Sequence, residues 1–544
     1  MAAPIKPQAN SLGRSVTGLA REPWRLAAVL LLAFLFAAEV YRAATQSIAH
    51  DEGVIFEWFL VGPWSRLFGF EHGNHHPLND LLCRISIGAF GLSELSYRLP
   101  ALLGGLLYFY SVFRLATFLF GRRFLFFLAV AVLTLNPFVL DYLCYSRGYS
   151  LALGLFLFAL DWLVRYLAVP DAGRGQIRVL LGAGVALGLS AGSNPVMIFP
   201  AGGLAAALFA VLAADAWIGK PQPVAEPEEK SKKAKKARRR KPRGETVRPR
   251  AMGQALLYFA MPALVVGGFL LSLPAQLVEL GEYLGPPSLA SVVEPLARYS
   301  LFHSSANFSG LALWLGRDGW VHLAALAVPA CLLAAVAAAA EVAALWLRRR
   351  DFDALEAIDR FVLLAGLLLP VTLALVVISH YGFDQPYPEM RTALYWIPLL
   401  SLAALALVRK FRQRRGAMKL CAMALECVLA LGAIQFATQF NTRYFAEWPY
   451  CAAGRDMMRA VVADHARAAA GHVTIGATWK LEPVINFYRA AWRLDWIEPV
   501  TRESPAGRFD YYMLLPEDAG VVEQLGLRRL ARDRLSGAVL AAQP

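Results

Sequence analysis

Eleven runs of predominantly apolar residues punctuate the chain, near 26–44, 99–119, 124–140, 148–168, 178–192, 195–215, 253–275, 320–347, 361–379, 392–408 and 419–438. Charged or turn-forming positions close each run, and a helix of about 20 such residues crosses a hydrocarbon layer of roughly 30 Å. The pattern predicts a mainly α, polytopic membrane bundle of about eleven transmembrane helices. Beyond the last run the periodicity changes. His472-Val473-Thr474-Ile475-Gly476 and Phe509-Asp510-Tyr511-Tyr512-Met513-Leu514-Leu515 read as strands, with Ala452 to Ala469 and Glu482 to Trp492 as helices, which predicts a small α/β unit.

Charge orients the bundle. An odd number of passes puts the two chain ends on opposite sides. Lys6, Arg14, Arg21 and Arg25, then Arg122 and Arg123, Arg174 and Arg178, the Lys/Arg run of 220–250, Arg348 to Arg350, and the cluster from Arg409 to Lys419 all fall on one side. Basic loops stay cytoplasmic. The expected layout in a bacterial inner membrane is a cytoplasmic arm (1–25), a transmembrane core (26–440) and an extracytoplasmic α/β domain (441–544). Within the core lie a first external loop (45–98), a basic cytoplasmic loop (216–252) and a second external loop (276–319). Arg42-Ala43-Ala44-Thr45 has a small-residue look, but the long arm before the first run favours an uncleaved span.

Composition narrows the class. With 57% apolar and 17% charged residues in 544, the chain is no secreted disulfide scaffold, collagen-like fibre or disordered polymer. The +14 net charge follows from the basic loops, whose partners are anionic lipid headgroups rather than nucleic acid. Six cysteines show neither a CxxC nor a metal-type cluster, and spacing does not support pairing such as Cys83 with Cys144.

Candidate chemistry gathers in the first long loop. His50-Asp51-Glu52 follows the first run directly, and the aromatic stretch Gly53 to Phe70 suits a helix lying in the membrane interface. Then comes Glu71-His72-Gly73-Asn74-His75-His76-Pro77-Leu78-Asn79-Asp80, and Arg98-Leu99-Pro100 opens the second span. Acids, imidazoles and cations at the membrane surface suit a lipid with an anionic headgroup. Adjacent His75 and His76 do not have the spacing of a zinc motif.

This order of residues resembles the GT-C glycosyltransferases, in particular the protein O-mannosyltransferases and the aminoarabinose transferases acting on lipid A. The shared features are Asp51-Glu52 after the first span, a juxtamembrane helix, His75-His76-Pro77-Leu78 in place of a His-Pro-Pro-Leu-like element, and Arg98-Leu99-Pro100. Tyr145-Ser146-Arg147-Gly148-Tyr149 resembles the opening of the family's fourth span, and Pro388-Glu389-Met390-Arg391 that of a late one. The resemblance implies a helical bundle with two juxtamembrane helices, a sugar donor carried on polyprenyl phosphate, and a cell-envelope acceptor that is a lipid, polysaccharide or protein. It implies that Asp51 deprotonates or orients the acceptor hydroxyl, that His75 lies near the donor phosphate, and that Arg147 is a phosphate-side cation. Where O-mannosyltransferases place an Asp shortly after the Ser-Arg, this chain has Ser150-Leu151-Ala152-Leu153. A second carboxylate is therefore Asp141, Glu52 or Glu71. The cofactor stays open, with a divalent metal on Asp51, Asp141 and Glu71 as one option.

Transfer from a phosphate-linked sugar needs a base at the acceptor and cations at the departing phosphate. A single displacement inverts the anomeric carbon and requires one carboxylate on the acceptor side. Asp51 and Glu52 are the catalytic candidates, with His75, His76, Arg147, Arg298, Arg391, His303 and His380 as candidates for binding the donor phosphate or substrate. A transporter or flippase is the chief rival, and a non-catalytic assembly scaffold the third reading. Carriers keep carboxylates near mid-membrane and show repeated halves, whereas here only Glu39, Asp161, Glu341 and Glu426 interrupt the runs.

Overall fold

A computed structural model describes residues 22–68, 75–168, 174–218, 248–272, 286, 288–304, 307–468 and 471–544. Among these residues, ten helices are long and apolar enough to cross a membrane. A pair bent by 64°, Phe124–Thr134 and Pro137–Cys144, makes an eleventh pass. Each falls on one of the eleven apolar runs. The basic run of 220–250 and Glu71 lie outside the described residues, apart from Arg248, Pro249 and Arg250 at the start of a helix. The chain enters at Pro23 and reaches Thr45, the upper end, so successive passes bring residues 45–98, 144–149, 193–195, 384–390 and the segment after 439 to that same end.

The bend in the third pass has a local cause. Asn136 accepts hydrogen bonds from the backbone N–H groups of Phe138 and Val139, both at 3.1 Å, and Pro137 starts the second helix where no N–H is needed. The sequence reading of one straight span over 124–140 passed over this start signal. Hydroxyls tie neighbouring passes together: Tyr108 donates to Leu133 O at 2.7 Å, Ser150 to Ala101 O at 2.5 Å and Ser190 to Ala152 O at 2.7 Å. In an apolar layer such bonds join helices that hydrophobicity alone would not hold together.

The first loop folds differently from the single interfacial helix expected over Gly53 to Phe70. Helix His50–Ile55 runs into a π-helical turn, Phe56–Leu60, and stops at Gly62-Pro63, where Gly62 has φ +86°. A 3-10 turn, Trp64–Phe68, and helix Pro77–Phe90 follow. Proline at 63 has no amide hydrogen to continue the helix.

After helix Ala417–Gln439 the chain forms helix Gly454–Ala468, strand β1 (Ile475–Ala477), helix Glu482–Ala491, β2 (Tyr511–Leu514), β3 (Arg528–Arg532) and β4 (Val539–Ala542). The sheet order is β1-β2-β4-β3, with β1 and β2 parallel and the other pairs antiparallel. Helix Glu482–Ala491 packs directly on helix His50–Ile55. A Cβ on Gly53 would lie 2.6 Å from Pro483 O, so only glycine permits this approach. Tyr488 Oη accepts from Ile48 N at 3.2 Å, His50 Nδ1 bonds Lys480 O at 2.8 Å, and Arg455 reaches Ala44 O and Thr45 O at 3.0 Å each.

Candidate active site

Glu52 fixes the helix that presents Asp51. Its carboxylate accepts from Arg98 Nε at 2.9 Å and Nη2 at 2.5 Å, from Ser146 N at 2.9 Å and from Ala49 N at 3.1 Å, with both charged side chains fully buried. The last bond caps the helix's own N-terminus. Both Glu52 oxygens are therefore occupied by donors inside the protein. Asp51, one residue earlier, is turned about 100° around the helix and keeps part of its side chain exposed.

Four distant segments meet at Asp51. Its Oδ2 lies 2.9 Å from Arg147 Nη1 and 3.1 Å from Arg391 Nη2. Arg147 stands in the turn before Gly148, whose φ of +73° and 2.0 Å approach of a built Cβ to Ser193 O exclude a side chain. Its Nε donates to His76 Nε2 at 3.2 Å. Arg391 pairs through Nη1 with Glu447 Oε2 at 2.6 Å, donates its backbone N–H to Glu447 Oε1 at 3.2 Å and lies 5.2 Å over the Trp448 ring. The Arg391 side chain is 30% exposed and that of Asp51 13%, against 3% for both Arg147 and Glu447, so Asp51 and Arg391 form the open side.

Burial raises the proton affinity of Asp51, but the charges of Arg147, Arg391 and His50 outweigh it and hold the carboxyl below its ordinary range. Glu447 goes the other way, because burial exceeds the pull of Arg391. His76 is pushed far below its ordinary value, first by burial and then by Arg147. His75 is buried, stacks on Phe59 at 4.5 Å and is pushed down to about 4 by burial. At neutral pH both imidazoles are uncharged, so Arg147 and Arg391 supply the positive charge of the site.

The other candidates fall elsewhere. Asp141 is buried among Arg42, His303 Nε2 at 2.7 Å and Ala446 N at 2.8 Å, and Arg42 also pairs with Glu39 at 3.2 Å. This network pins the second loop and the connector after the last pass to the bent helix pair, and takes both Asp141 and His303 out of the Asp51 cluster. Arg298 is exposed and paired with Glu294 at 3.1 Å and Asp318 at 2.9 Å. His380 bonds Gln385 O at 2.8 Å and stacks on Tyr387 at 4.1 Å.

The metal considered for Asp51, Asp141 and Glu71 does not fit the described part of that set. The groups that face Asp51 are guanidinium ions, and Asp141 is bound to Arg42 and His303. Among the described residues no group of three or more His, Cys, Asp or Glu side chains is arranged to hold an ion, and all six cysteines are free. Sequence reasoning missed Glu447 and Trp448. Their signal was an acid set among the aromatics of Tyr444-Phe445-Ala446-Glu447-Trp448-Pro449-Tyr450, directly after the last pass.

No family model matches the chain, and no curated protein matches it. Among solved structures the chain is similar to ArnT from Cupriavidus metallidurans in the apo state, at 14% identity and a TM-score of 0.47, over 96% of this chain and 98% of that one. It is similar to the same protein bound to undecaprenyl phosphate at 15% identity and a TM-score of 0.39, over 94% and 97%. The archaeal oligosaccharyltransferase AglB from Archaeoglobus fulgidus, in complex with an inhibitory peptide and a dolichol-phosphate, is similar at 12% identity and a TM-score of 0.37, over 85% of this chain and 63% of that one. At such TM-scores the likeness bears on neither substrate nor mechanism.

Proposed function

We propose that the chain is an integral-membrane glycosyltransferase that moves a sugar from a polyprenyl-phosphate donor to a cell-envelope acceptor, on the extracytoplasmic side and with inversion. The observation that carries this reading is the meeting of Asp51, His76, Arg147 and Arg391 at the upper end of the bundle. Asp51, Arg147 and Arg391 stand in motifs that resemble those of GT-C enzymes, and His76, which takes the place of the family's first proline, bonds Arg147. Among the described residues, Arg122 and Arg123, Arg348 to Arg350 and the cluster from Arg409 to Lys419 lie at the opposite end, which supports an outward-facing site.

In this mechanism the acceptor oxygen attacks the anomeric carbon as the bond from that carbon to the phosphate oxygen breaks. Asp51 accepts the hydroxyl proton. The donor phosphodiester carries one negative charge and gains a second as it leaves, so Arg147 and Arg391 bind it more strongly in the transition state than in the ground state. Guanidinium groups suit this task because they pair with phosphate through two parallel hydrogen bonds. The phosphate competes with Asp51 for the same two arginines, which frees the carboxylate for the acceptor.

A carrier is less well supported. Glu39, Asp161, Glu341 and Glu426, the carboxylates that interrupt the passes, are each paired with arginine: Arg42, Arg114 with Arg165, Arg414, and Arg412. The deciding experiment incubates the purified protein with a panel of radiolabelled polyprenyl-phosphate sugars and cell-envelope fractions. Label should move to an envelope component. If no label moves from any donor in the panel, the reading fails.

A further inference from the structure

We propose that Glu447, on the connector between the last membrane pass and the C-terminal sheet, is a positioning residue that holds Arg391 in place for the donor phosphate. The inference rests on the glycosyltransferase reading and assigns a residue that neither the sequence nor that reading supplied.

Arg391 is the second residue of a 3-10 turn, Met390–Ala393, ahead of helix Trp396–Phe411, and the residue before it, Met390, has φ +48°. A non-glycine residue in that region is uncommon, and here it sets the direction from which Arg391 enters the site. Glu447 grips Arg391 twice, at the side chain (2.6 Å) and at the backbone N–H (3.2 Å). Trp448 lies beneath the guanidinium and is itself stacked on Tyr145 at 4.6 Å and 20°. The connector is fixed in turn by Asp141, which accepts from Ala446 N at 2.8 Å. Arg391 is thus anchored by a residue that is 3% exposed, while its own side chain, which also pairs with Asp51, stays 30% exposed.

The consequence is chemical. A guanidinium has five N–H donors. One meets Asp51 and one Glu447, so donors remain for a phosphate. Among the described residues Asp51 and Glu447 are the carboxylates paired with Arg391, so without Glu447 the arginine could not turn from Asp51 to phosphate without losing its place. With Glu447, Arg391 releases Asp51 to the acceptor and stays in the site.

The test uses the full-length protein and two readouts. The first is equilibrium binding of undecaprenyl phosphate, a probe that carries the lipid phosphate without a sugar. The second is transfer kinetics with the donor selected by the panel. Glu447→Gln should weaken probe binding and raise the donor KM by about ten-fold, the scale of one lost charge-assisted hydrogen bond, with acceptor saturation unchanged. Glu447→Asp should recover part of the loss. In an Arg391→Gln background, Glu447→Gln should add nothing further, because it acts through that arginine. Additive losses in the double variant, or a change confined to acceptor saturation, overturn the inference. If Glu447→Gln does not fold, Glu447→Asp decides alone: a donor KM and probe affinity equal to wild type overturn the inference. Should the wild type bind the probe and transfer sugar while Glu447→Gln matches it, only the inference fails. A wild type that does neither removes the glycosyltransferase reading itself.

Discussion

Glu52→Gln tests the division of labour between two adjacent acids. Four donors converge on the Glu52 carboxylate: two N–H groups of Arg98 and the backbone N–H groups of Ala49 and Ser146. Glutamine offers one acceptor oxygen and puts an NH2 in place of the other. If the amide oxygen faces Arg98 Nε and Ser146 N, the NH2 opposes Arg98 Nη2 and Ala49 N, and two donors lose their acceptor. Arg98 keeps Gln46 O at 2.8 Å and Ser47 O at 2.9 Å, but its fully buried charge no longer has a counter-charge. Breaking a buried pair by removing one charge costs about 3–5 kcal/mol. Thermal unfolding of the purified variant should therefore fall well below wild type. The molecules that remain folded should keep most of their turnover. A variant with wild-type thermal stability and abolished turnover would refute the reasoning and make Glu52 a chemical group.

Three further outcomes follow from the same geometry. Asp51→Asn should fold normally and lose turnover by on the order of 10²–10⁴-fold, since the amide cannot take the acceptor proton; wild-type turnover would remove Asp51 from the mechanism. Glu57 is pushed from 4.5 up to about 7, chiefly by burial and then by the charge of Glu482. The folded protein therefore holds a proton that the unfolded chain has lost, so stability should decline as pH rises from about 4.5 to about 7 and level off above. Glu57→Gln should narrow the gap between thermal unfolding at pH 5 and pH 8, and an unchanged gap would count against the assignment. Arg298→Ala and His380→Ala should leave donor and acceptor kinetics at wild-type values, since both side chains are bonded away from Asp51; a raised donor KM in either would place that residue at the phosphate.

The membrane passes were legible because a 20-residue apolar helix buries its own backbone hydrogen bonds and needs no partner to be recognised. Shorter elements were not, because they depend on partners distant in sequence. Gly62-Pro63 ended the interfacial helix early, a breaker present in the sequence but outweighed by the aromatic pattern around it. Strand β3, Arg528–Arg532, carries three arginines and does not read as a strand, yet it pairs with β4 as the outer member of the sheet, where charged side chains face solvent. Asp51, Arg147 and Arg391 were each visible as candidates. That Arg391 reaches Asp51 across 340 positions, while Arg298 is tied to Asp318, is decided by helix direction and not by residue type. His303 illustrates the same limit: its partner Asp141 is a metal candidate by residue type, but nothing in either stretch of sequence says that the two meet.

The pair Asp51-Glu52 shows why residue type and position together still underdetermine a site. Both are acids at the start of one short helix, and by spacing alone either could face the substrate. The choice follows from what surrounds the helix. Arg98, from the second pass, and the Ser146 N–H, from the turn after the third, close on one face and leave Glu52 no exposed oxygen. Helix Glu482–Ala491 closes on Gly53, where a side chain would collide with Pro483. Asp51 keeps part of its side chain exposed, and the two arginines that reach it come from distant turns, which Trp448 bridges by stacking on Tyr145 and lying under Arg391. A carboxylate in that position is ionised by its neighbours and becomes a base only when they are drawn elsewhere. In the mechanism proposed above, an incoming phosphate provides such a pull and makes the acceptor-side chemistry conditional on the donor.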